Sequence, residues 1–278
     1  MGSGLKNKIH LNNNTLLISE LENKDNDIFE LLSLLERHIF ESSEFSLSTL
    51  DVIVERCAKS IEEIEDELEK AERIINDIFI ENMFIENEQR EWPVSACELN
   101  SAIANRQISP ALKSVVLRYI LSECGFETDI VFVPEKLMIR IVCNEVYAII
   151  FDPITGESLN GYELDKKLED VNEDPQKQEL YSLTKQEIFV NHITSMKAAL
   201  IREKRYSEAF KCVEILLALK PDDPLERRDR GFLLQQLDCF KVAYDDYRYF
   251  VESCPKDPAA KLLKLQLEHI EVSEAVLH

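Results

Sequence analysis

Glycine and proline are scarce in this chain, at six and nine of 278 residues. The sequence has no glycine-rich loop of the kind that cradles phosphates, which argues against a P-loop or a dinucleotide-binding site. Few chain-breaking residues also favour long helices, and apolar positions recur at steps of three and four through much of the chain. The sequence therefore predicts a mostly helical protein.

Paired cysteines and long apolar runs are missing as well. The seven cysteines are odd in number and contain no CxxC pair, and the five histidines share no ligand spacing. These patterns exclude a disulfide framework and a zinc-type site, so we expect no metal and no cofactor. No window approaches the ~18 apolar residues that span a bilayer, and the N-terminus lacks an apolar signal core. We expect a soluble, cytoplasmic protein without a membrane partner.

Basic residues are the minority, with 32 Lys and Arg against 53 Asp and Glu and a formal net charge of -21. A surface this negative repels phosphate backbones, so we expect no nucleic-acid partner. The clearest basic cluster is Arg227-Arg228-Asp229-Arg230.

The length suits two domains. We divide the chain into an N-terminal tail (1–25), an α+β domain (26–180) and a helical domain (181–278). Within the α+β domain the apolar periodicity predicts helices over 26–42, 50–78, 95–104 and 110–124.

Three β-rich segments follow the last of these helices, at 128–133, 137–143 and 146–151. The short link Asn144-Glu145 predicts a hairpin between the second and third, which gives a small antiparallel sheet. We interpret residues 152–180 as a polar surface connection. A helix followed by such a sheet predicts an α+β core.

The C-terminal third is repetitive. "YSEAFKCVEILLALKPDDP" (206–224) aligns with "FKVAYDDYRYFVESCPKDP" (240–258) at a shift of 34 residues, which is the tetratricopeptide period. Template positions match small residues, a packing aromatic and terminating prolines at Ala209, Gly231, Ala243, Tyr247, Pro221 and Pro255. We predict an all-α domain of two repeats plus a trailing helix. Because independent stability usually takes ~3 repeats, we expect this domain to lean on the preceding one.

Three stretches together resemble the SirB-type transglutaminase-like family, which carries C-terminal tetratricopeptide repeats. They are "RQISPALKSVVLRYILSECGFETDIVFVPEKLMIRI", "YAIIFDPITGESLNGYEL" and "DPLERRDRGFLLQQLDCFKVAYDDYRYFVESCPKDP", and the similarity covers roughly 45–270. The resemblance implies a degenerate transglutaminase-like, papain-like core of the α+β class.

The resemblance also implies where catalytic residues would stand. In active members of the wider superfamily a Cys opens the core helix, a His begins the second strand and an Asp ends the third. These positions fall on Pro110, Lys136 and Asp152, with Lys136 where SirB-type relatives typically read P-G-H-F-L. Proline carries no nucleophile, and losing the nucleophile of such a triad costs on the order of 10⁶ in rate. The resemblance therefore implies a pseudoenzyme with vestigial positions.

Two alternatives remain at this site. Ser109 could act with Lys136 and Asp152 as a residual hydrolase or amidase, which would need a desolvated, neutral lysine. Alternatively, the old cleft could bind an amide-bearing side chain without cleaving it. We expect instead that Lys136 and Asp152 form an ion pair within ~4 Å, worth ~0–1 kcal/mol if exposed.

The arginine cluster has two interpretations. Arg227, Arg228 and Arg230 could pair with carboxylates of the α+β core and so dock the repeats. Alternatively, Arg228 could receive an acidic peptide or a C-terminal carboxylate from a protein partner, with Phe232, Gln235 and Gln236 nearby. The expected function is binding of another protein.

Overall fold

The computed structural model describes residues 13–23, 27–40, 47–81, 91–133, 136–144, 147–159, 161–169 and 180–276. These residues form two compact units. The α+β unit comprises the described parts of Ile28–Ser33 and Ser43–Ala199. The repeat unit comprises those of Met1–Asp27, Leu34–Ser42 and Leu200–His278. This division differs from the predicted one, because part of the supposed N-terminal tail belongs with the repeats.

The elements alternate little, with the strands confined to the middle of the chain. The α-helices are α1 (Asn13–Glu22), α2 (Ile28–Phe40), α3 (Ser48–Ile61), α4 (Glu67–Asn76), α5 (Leu99–Asn105), α6 (Pro110–Glu123), α7 (Gly161–Glu169), α8 (Lys185–Arg202), α9 (Tyr206–Leu219), α10 (Pro224–Gln236), α11 (Phe240–Ser253) and α12 (Pro258–Val276). The strands are β1 (Glu127–Val133), β2 (Lys136–Val142), β3 (Ala148–Phe151) and β4 (Ser158–Leu159).

The single long helix predicted over 50–78 is wrong. Helix α3 ends at Ile61 and α4 begins at Glu67. Asp66 between them has an extended backbone, and its carboxylate accepts a hydrogen bond from the Glu69 amide at 2.9 Å. This is an N-cap, which starts a new helix where the apolar periodicity alone runs on. A π-helical turn, Asp77–Glu81, then follows α4.

The predicted antiparallel sheet is confirmed, with strand order β1-β2-β3-β4. The register pairs Val133 with Lys136 and Ile139 with Phe151. The turn residues 134 and 135 lie outside the described part of the chain, as does Glu145 of the predicted second hairpin. Segment 152–180 is more than a connection, because β4 pairs with β3 and α7 follows it.

Helix α6 runs through the core of the α+β unit and packs on α3, β1 and β2. Its sequence is apolar on nearly all sides, as expected of a helix surrounded by protein. Even Lys113 and Ser114 are buried there. Ser109 and Pro110, at the start of α6, are therefore positioned by a helix that is packed on several sides.

The repeat unit keeps the predicted spacing, since α9 begins at Tyr206 and α11 at Phe240, 34 positions later. The close approach of α10 to α11 occurs at Gly231, where an added Cβ would lie 2.9 Å from the Tyr247 ring. Both residues thus take the packing roles that the repeat pattern predicts.

Two N-terminal pieces pack in the same unit. Helix α1 contacts α9 and buries Leu17 and Leu21. The Lys211 ammonium donates to the carbonyls of His38 and Ile39 at 3.2 and 3.0 Å, which satisfies the end of α2. The contacts of α1 explain why the predicted tail (1–25) is partly structured.

Candidate functional site

The start of α6 is fixed by two residues. Pro110 occupies the first turn, where its missing N–H costs nothing and its ring sets a helical φ. Ser109 is the N-cap, and its amide donates to the Ala96 carbonyl at 2.8 Å. The Ser109 side chain is fully buried, and its hydroxyl has no hydrogen-bond partner in the described part of the chain. Ser109 occupies the N-cap position, but its hydroxyl makes no capping hydrogen bond to the helix.

Lys136 and Asp152 meet at one end of the two inner strands, β2 and β3. Lys136 begins β2, and Asp152 comes directly after β3. The Lys136 ammonium donates to Asp152 Oδ2 at 2.9 Å. The side chain of Lys136 is 59% exposed and that of Asp152 is 10% exposed. The predicted ion pair is confirmed.

The Asp152 carboxylate also organises the loop that follows it. Its Oδ1 accepts from the Ile154 amide at 2.7 Å, and its backbone bonds to Glu157 and Gly156, each at 2.9 Å. Gly156 takes a left-handed φ of 77°, which an L side chain rarely adopts. Each carboxylate oxygen of Asp152 therefore already accepts one hydrogen bond.

Phe79 and Lys113 pack against this loop, and sequence reasoning missed both. A Cβ on Gly156 would lie 2.8 Å from the Phe79 ring, which also contacts the Phe151 ring edge-to-face at 6.2 Å. The buried Lys113 ammonium lies 4.9 Å from the Phe79 centroid and donates to the Ile154 carbonyl at 3.1 Å. A lone lysine inside the apolar stretch "ALKSVVL" was the available signal for Lys113.

Of the predicted site residues, the structure brings Lys136 and Asp152 together, and Ser109 bonds to neither. A serine nucleophile needs a base within hydrogen-bond reach of its hydroxyl. The Ser109 hydroxyl has no such partner in the described ranges, while the Lys136 ammonium is held by a carboxylate. The geometry described here therefore supplies no base to Ser109.

The arginine cluster lies on α10. Arg230 holds Asp246 through two hydrogen bonds of 2.7 and 2.8 Å and reaches Glu214 at 3.1 Å. Asp246 is buried, and the hydrogen bonds that Arg230 donates to its carboxylate raise the pKa of Arg230. These carboxylates belong to α11 and α9, so the salt bridges of Arg230 lie within the repeat unit and not on the predicted α+β core.

The other two arginines of the cluster differ in how many contacts their guanidinium groups make. The Arg227 guanidinium lies over the Tyr249 ring at 4.6 Å and donates to the Pro221 carbonyl. Arg228 bonds Asp229 on its own helix at 2.8 Å and keeps 33% of its side chain exposed.

Two further candidates are partly engaged as well. Phe232 contacts the Tyr206 ring edge-to-face at 6.1 Å. Gln235 accepts a hydrogen bond from the Tyr247 hydroxyl at 2.8 Å. Gln236 is exposed.

Across the described ranges, no group of three or more His, Cys, Asp or Glu side chains could hold a metal ion. Among the helices described, none combines the length and the apolar character that crossing a membrane requires.

Comparisons with known proteins follow the two units. A sequence model described as "Transglutaminase-like superfamily" matches residues 44–193, and one described as "Tetratricopeptide repeat" matches 196–268. No solved structure matches the chain significantly.

Three curated bacterial proteins are similar to the chain. A UPF0162 protein of Vibrio cholerae and the UPF0162 protein YchA of Escherichia coli K12 are each 33% identical over 184 residues, covering 65% of this chain and 68% of the relative. Protein SirB1 of Salmonella typhimurium is 28% identical over 244 residues, covering 85% of this chain and 89% of its own. The chain therefore belongs to the transglutaminase-like superfamily, as a SirB-type member with tetratricopeptide repeats at its C-terminal side.

Proposed function

We propose that the protein is a non-catalytic, cytoplasmic protein-binding module with a regulatory or scaffolding role. The observation that carries this proposal is the state of the two vestigial positions. Pro110, in the nucleophile position, begins α6, and Lys136, in the base position, is 2.9 Å from Asp152. Pro110 has no nucleophilic side chain, and the Lys136 ammonium, paired with a carboxylate, does not accept the proton that the superfamily's chemistry transfers.

Protein binding is supported by the repeats, because stacked helix pairs form the extended surfaces that such modules use for partners. Within the repeat unit, Arg228 is the arginine best suited to receive an acidic peptide or a C-terminal carboxylate. Among the described residues its carboxylate partner is the adjacent Asp229, and a third of its side chain reaches solvent. Arg230 suits this role less, because its guanidinium neutralises the buried Asp246.

The alternative function is a residual hydrolase at Ser109, Lys136 and Asp152. One observation favours it: Ser109 places a hydroxyl directly before Pro110 at the start of α6, although no base among the described residues reaches that hydroxyl. Recognition of an amide side chain in the old cleft has less support, because Phe79 and Lys113 already fill space against the Asp152 loop.

Crosslinking of the full chain in cell extract, followed by mass spectrometry, tests the leading proposal. We expect a defined protein to be enriched by the wild type and lost with Arg228→Glu. Lys241→Glu, which makes the same charge change at an exposed position of α11, should retain it, as should Lys136→Ala. Equal loss with Arg228→Glu and Lys241→Glu, or loss with Lys136→Ala, would contradict the proposed surface.

A further inference from the structure

A groove lies between α3 and the end of α5 in the α+β unit, and neither Lys136 nor Asp152 lines it. It encloses about 420 Å³, within the size range of sites that take a small ligand or a few side chains. Its lining residues are Ser48, Thr49, Val52, Ile53, Arg56, Ile103 and Arg106. The α3 residues recur at steps of three and four, which places them on one face of the helix.

The charge of this groove is opposite to that of the chain. Among the residues that the structure describes, two arginines and no carboxylate line it, whereas the whole chain has 53 acidic and 32 basic residues. The nearby carboxylates have other surroundings: Asp51 accepts a hydrogen bond from the Tyr119 hydroxyl, and Glu55 lines a different cavity. A cationic groove on an anionic protein favours an anionic ligand there and steers it locally.

Arg106 is the more available of the two cations. It ends α5 in the left-handed conformation, with a φ of 55°, and its amide bonds to the carbonyls of Ala102 and Ile103. The backbone at Arg106 is therefore fixed. Its exposed guanidinium makes no hydrogen bond or salt bridge with any residue in the described ranges. An arginine in this state retains its full capacity for a bidentate carboxylate contact.

The groove also has an apolar side. Val52 is 64% exposed, and Ile53 and Ile103 line the groove beside it. A free inorganic anion would leave this apolar surface unused, and a nucleic acid would meet the net charge of -21. A polypeptide segment that carries both an aliphatic side chain and carboxylates satisfies both halves.

We propose that this groove binds a short acidic peptide segment of another protein. An aliphatic side chain of that segment rests on Val52 and Ile53, and a flanking carboxylate meets Arg106. This surface is independent of the binding proposed for the repeats, and neither proposal requires the other.

A dye-labelled peptide, Glu-Asp-Leu-Asp-Glu, tests the proposal by fluorescence anisotropy with the full-length protein at low salt. We expect saturable binding below about 1 mM and about tenfold weaker binding with Arg106→Glu. Val52→Ser should weaken binding through its apolar half. Lys59→Glu is the matched control, because it makes the same charge change on α3 outside the groove lining. It should change the affinity less than about twofold.

Several results would overturn the proposal. These are no binding to the wild type, equal weakening by Lys59→Glu and Arg106→Glu, and equal binding of the uncharged peptide Gln-Asn-Leu-Asn-Gln. Loss of binding with Arg228→Glu but not with Arg106→Glu would also reject the groove, while supporting the surface proposed on the repeats. Dimers of the protein alone in analytical ultracentrifugation, dissociated by the peptide and lost with Arg106→Glu, would show that a second copy occupies the groove instead.

Discussion

The Lys136 ammonium lies 2.9 Å from Asp152 Oδ2, yet the two side chains differ in their exposure to solvent. The Lys136 side chain is 59% exposed and the Asp152 side chain is 10% exposed. The lysine is a solvated cation resting on a nearly buried carboxylate. The carboxylate is also held by the Ile154 amide, so it supports its loop whether or not the lysine is present. The pair therefore stands where the family pattern places a catalytic base and acid.

This asymmetry predicts unequal costs of substitution. Lys136→Met should lower the free energy of unfolding by less than ~1 kcal/mol, because exposed ion pairs contribute little. Asp152→Ala should cost ~1–3 kcal/mol, because it leaves the Ile154 amide without its acceptor. Urea denaturation of both variants measures the difference. Equal costs would mean that the lysine is a structural partner, contrary to this account.

Arg230 and Asp246 present the opposite case. Arg230→Met should destabilise the protein by ~3–5 kcal/mol, since the buried Asp246 loses its two closest hydrogen bonds. The double variant Arg230→Met/Asp246→Leu should recover much of that loss. Arg228→Met is the control and should cost under ~1 kcal/mol. Thermal unfolding monitored by circular dichroism compares the four proteins, and equal losses for Arg228→Met and Arg230→Met would contradict the assignment of roles.

Gly231 is required by the packing of α10 on α11. A Cβ there would lie 2.9 Å from the Tyr247 ring and 3.2 Å from the Ala243 carbonyl. The ring is buried and hydrogen-bonded to Gln235, so it cannot easily move aside. Gly231→Ala should cost ~1–3 kcal/mol in chemical denaturation. Gly161→Ala, with nothing within 4 Å of the added carbon, should be near neutral. A neutral Gly231→Ala would mean that the two helices separate readily.

His192 predicts a specific acid sensitivity. It is fully buried on α8, neither ring nitrogen has a partner among the described residues, and burial lowers its pKa from 6.5 to about 4. Between about pH 4 and pH 6.5, His192 is therefore protonated in the unfolded chain and neutral in the folded chain. The stabilisation from neutral His192 is complete above about pH 6.5 and is lost as pH falls towards 4.

Between pH 7 and pH 5 the wild type should lose about 2 kcal/mol more stability than His192→Leu, because the variant has no group to protonate there. Denaturation midpoints of the two proteins at both pH values test this prediction. The two proteins have the same carboxylates, so any effect of those groups on stability cancels in the comparison. Identical pH dependence in the two would show that His192 is protonated without cost in the folded state.

Much of the fold could be predicted from local pattern. The period of 34 placed the starts of α9 and α11, and Pro110 marked the start of α6. The break before α4 could not be predicted from apolar periodicity, because it depends on a single capping contact from Asp66. The missed helix α1 is stabilised by burying Leu17 and Leu21 against partners distant in sequence, which no local pattern reveals.

The candidate site was predictable only in part. The family pattern placed Lys136 and Asp152 in the base and acid positions of one site. The register of β2 and β3 brings their side chains together. Phe79 was not predicted, because it comes from a π-helical turn far away in sequence. The partners of Arg230 were assigned to the wrong elements for a similar reason: helix-to-helix pairing in three dimensions decides which carboxylate an arginine meets.

The central claim is that the fold binds and does not catalyse. Release of ammonia from a glutamine-containing peptide and of nitrophenol from an acetate ester should be measured with the wild type, Ser109→Ala and Lys136→Ala. The account predicts that all three proteins give the buffer rate. Turnover above background in the wild type that is lost in both Ser109→Ala and Lys136→Ala would contradict it and establish the residual hydrolase.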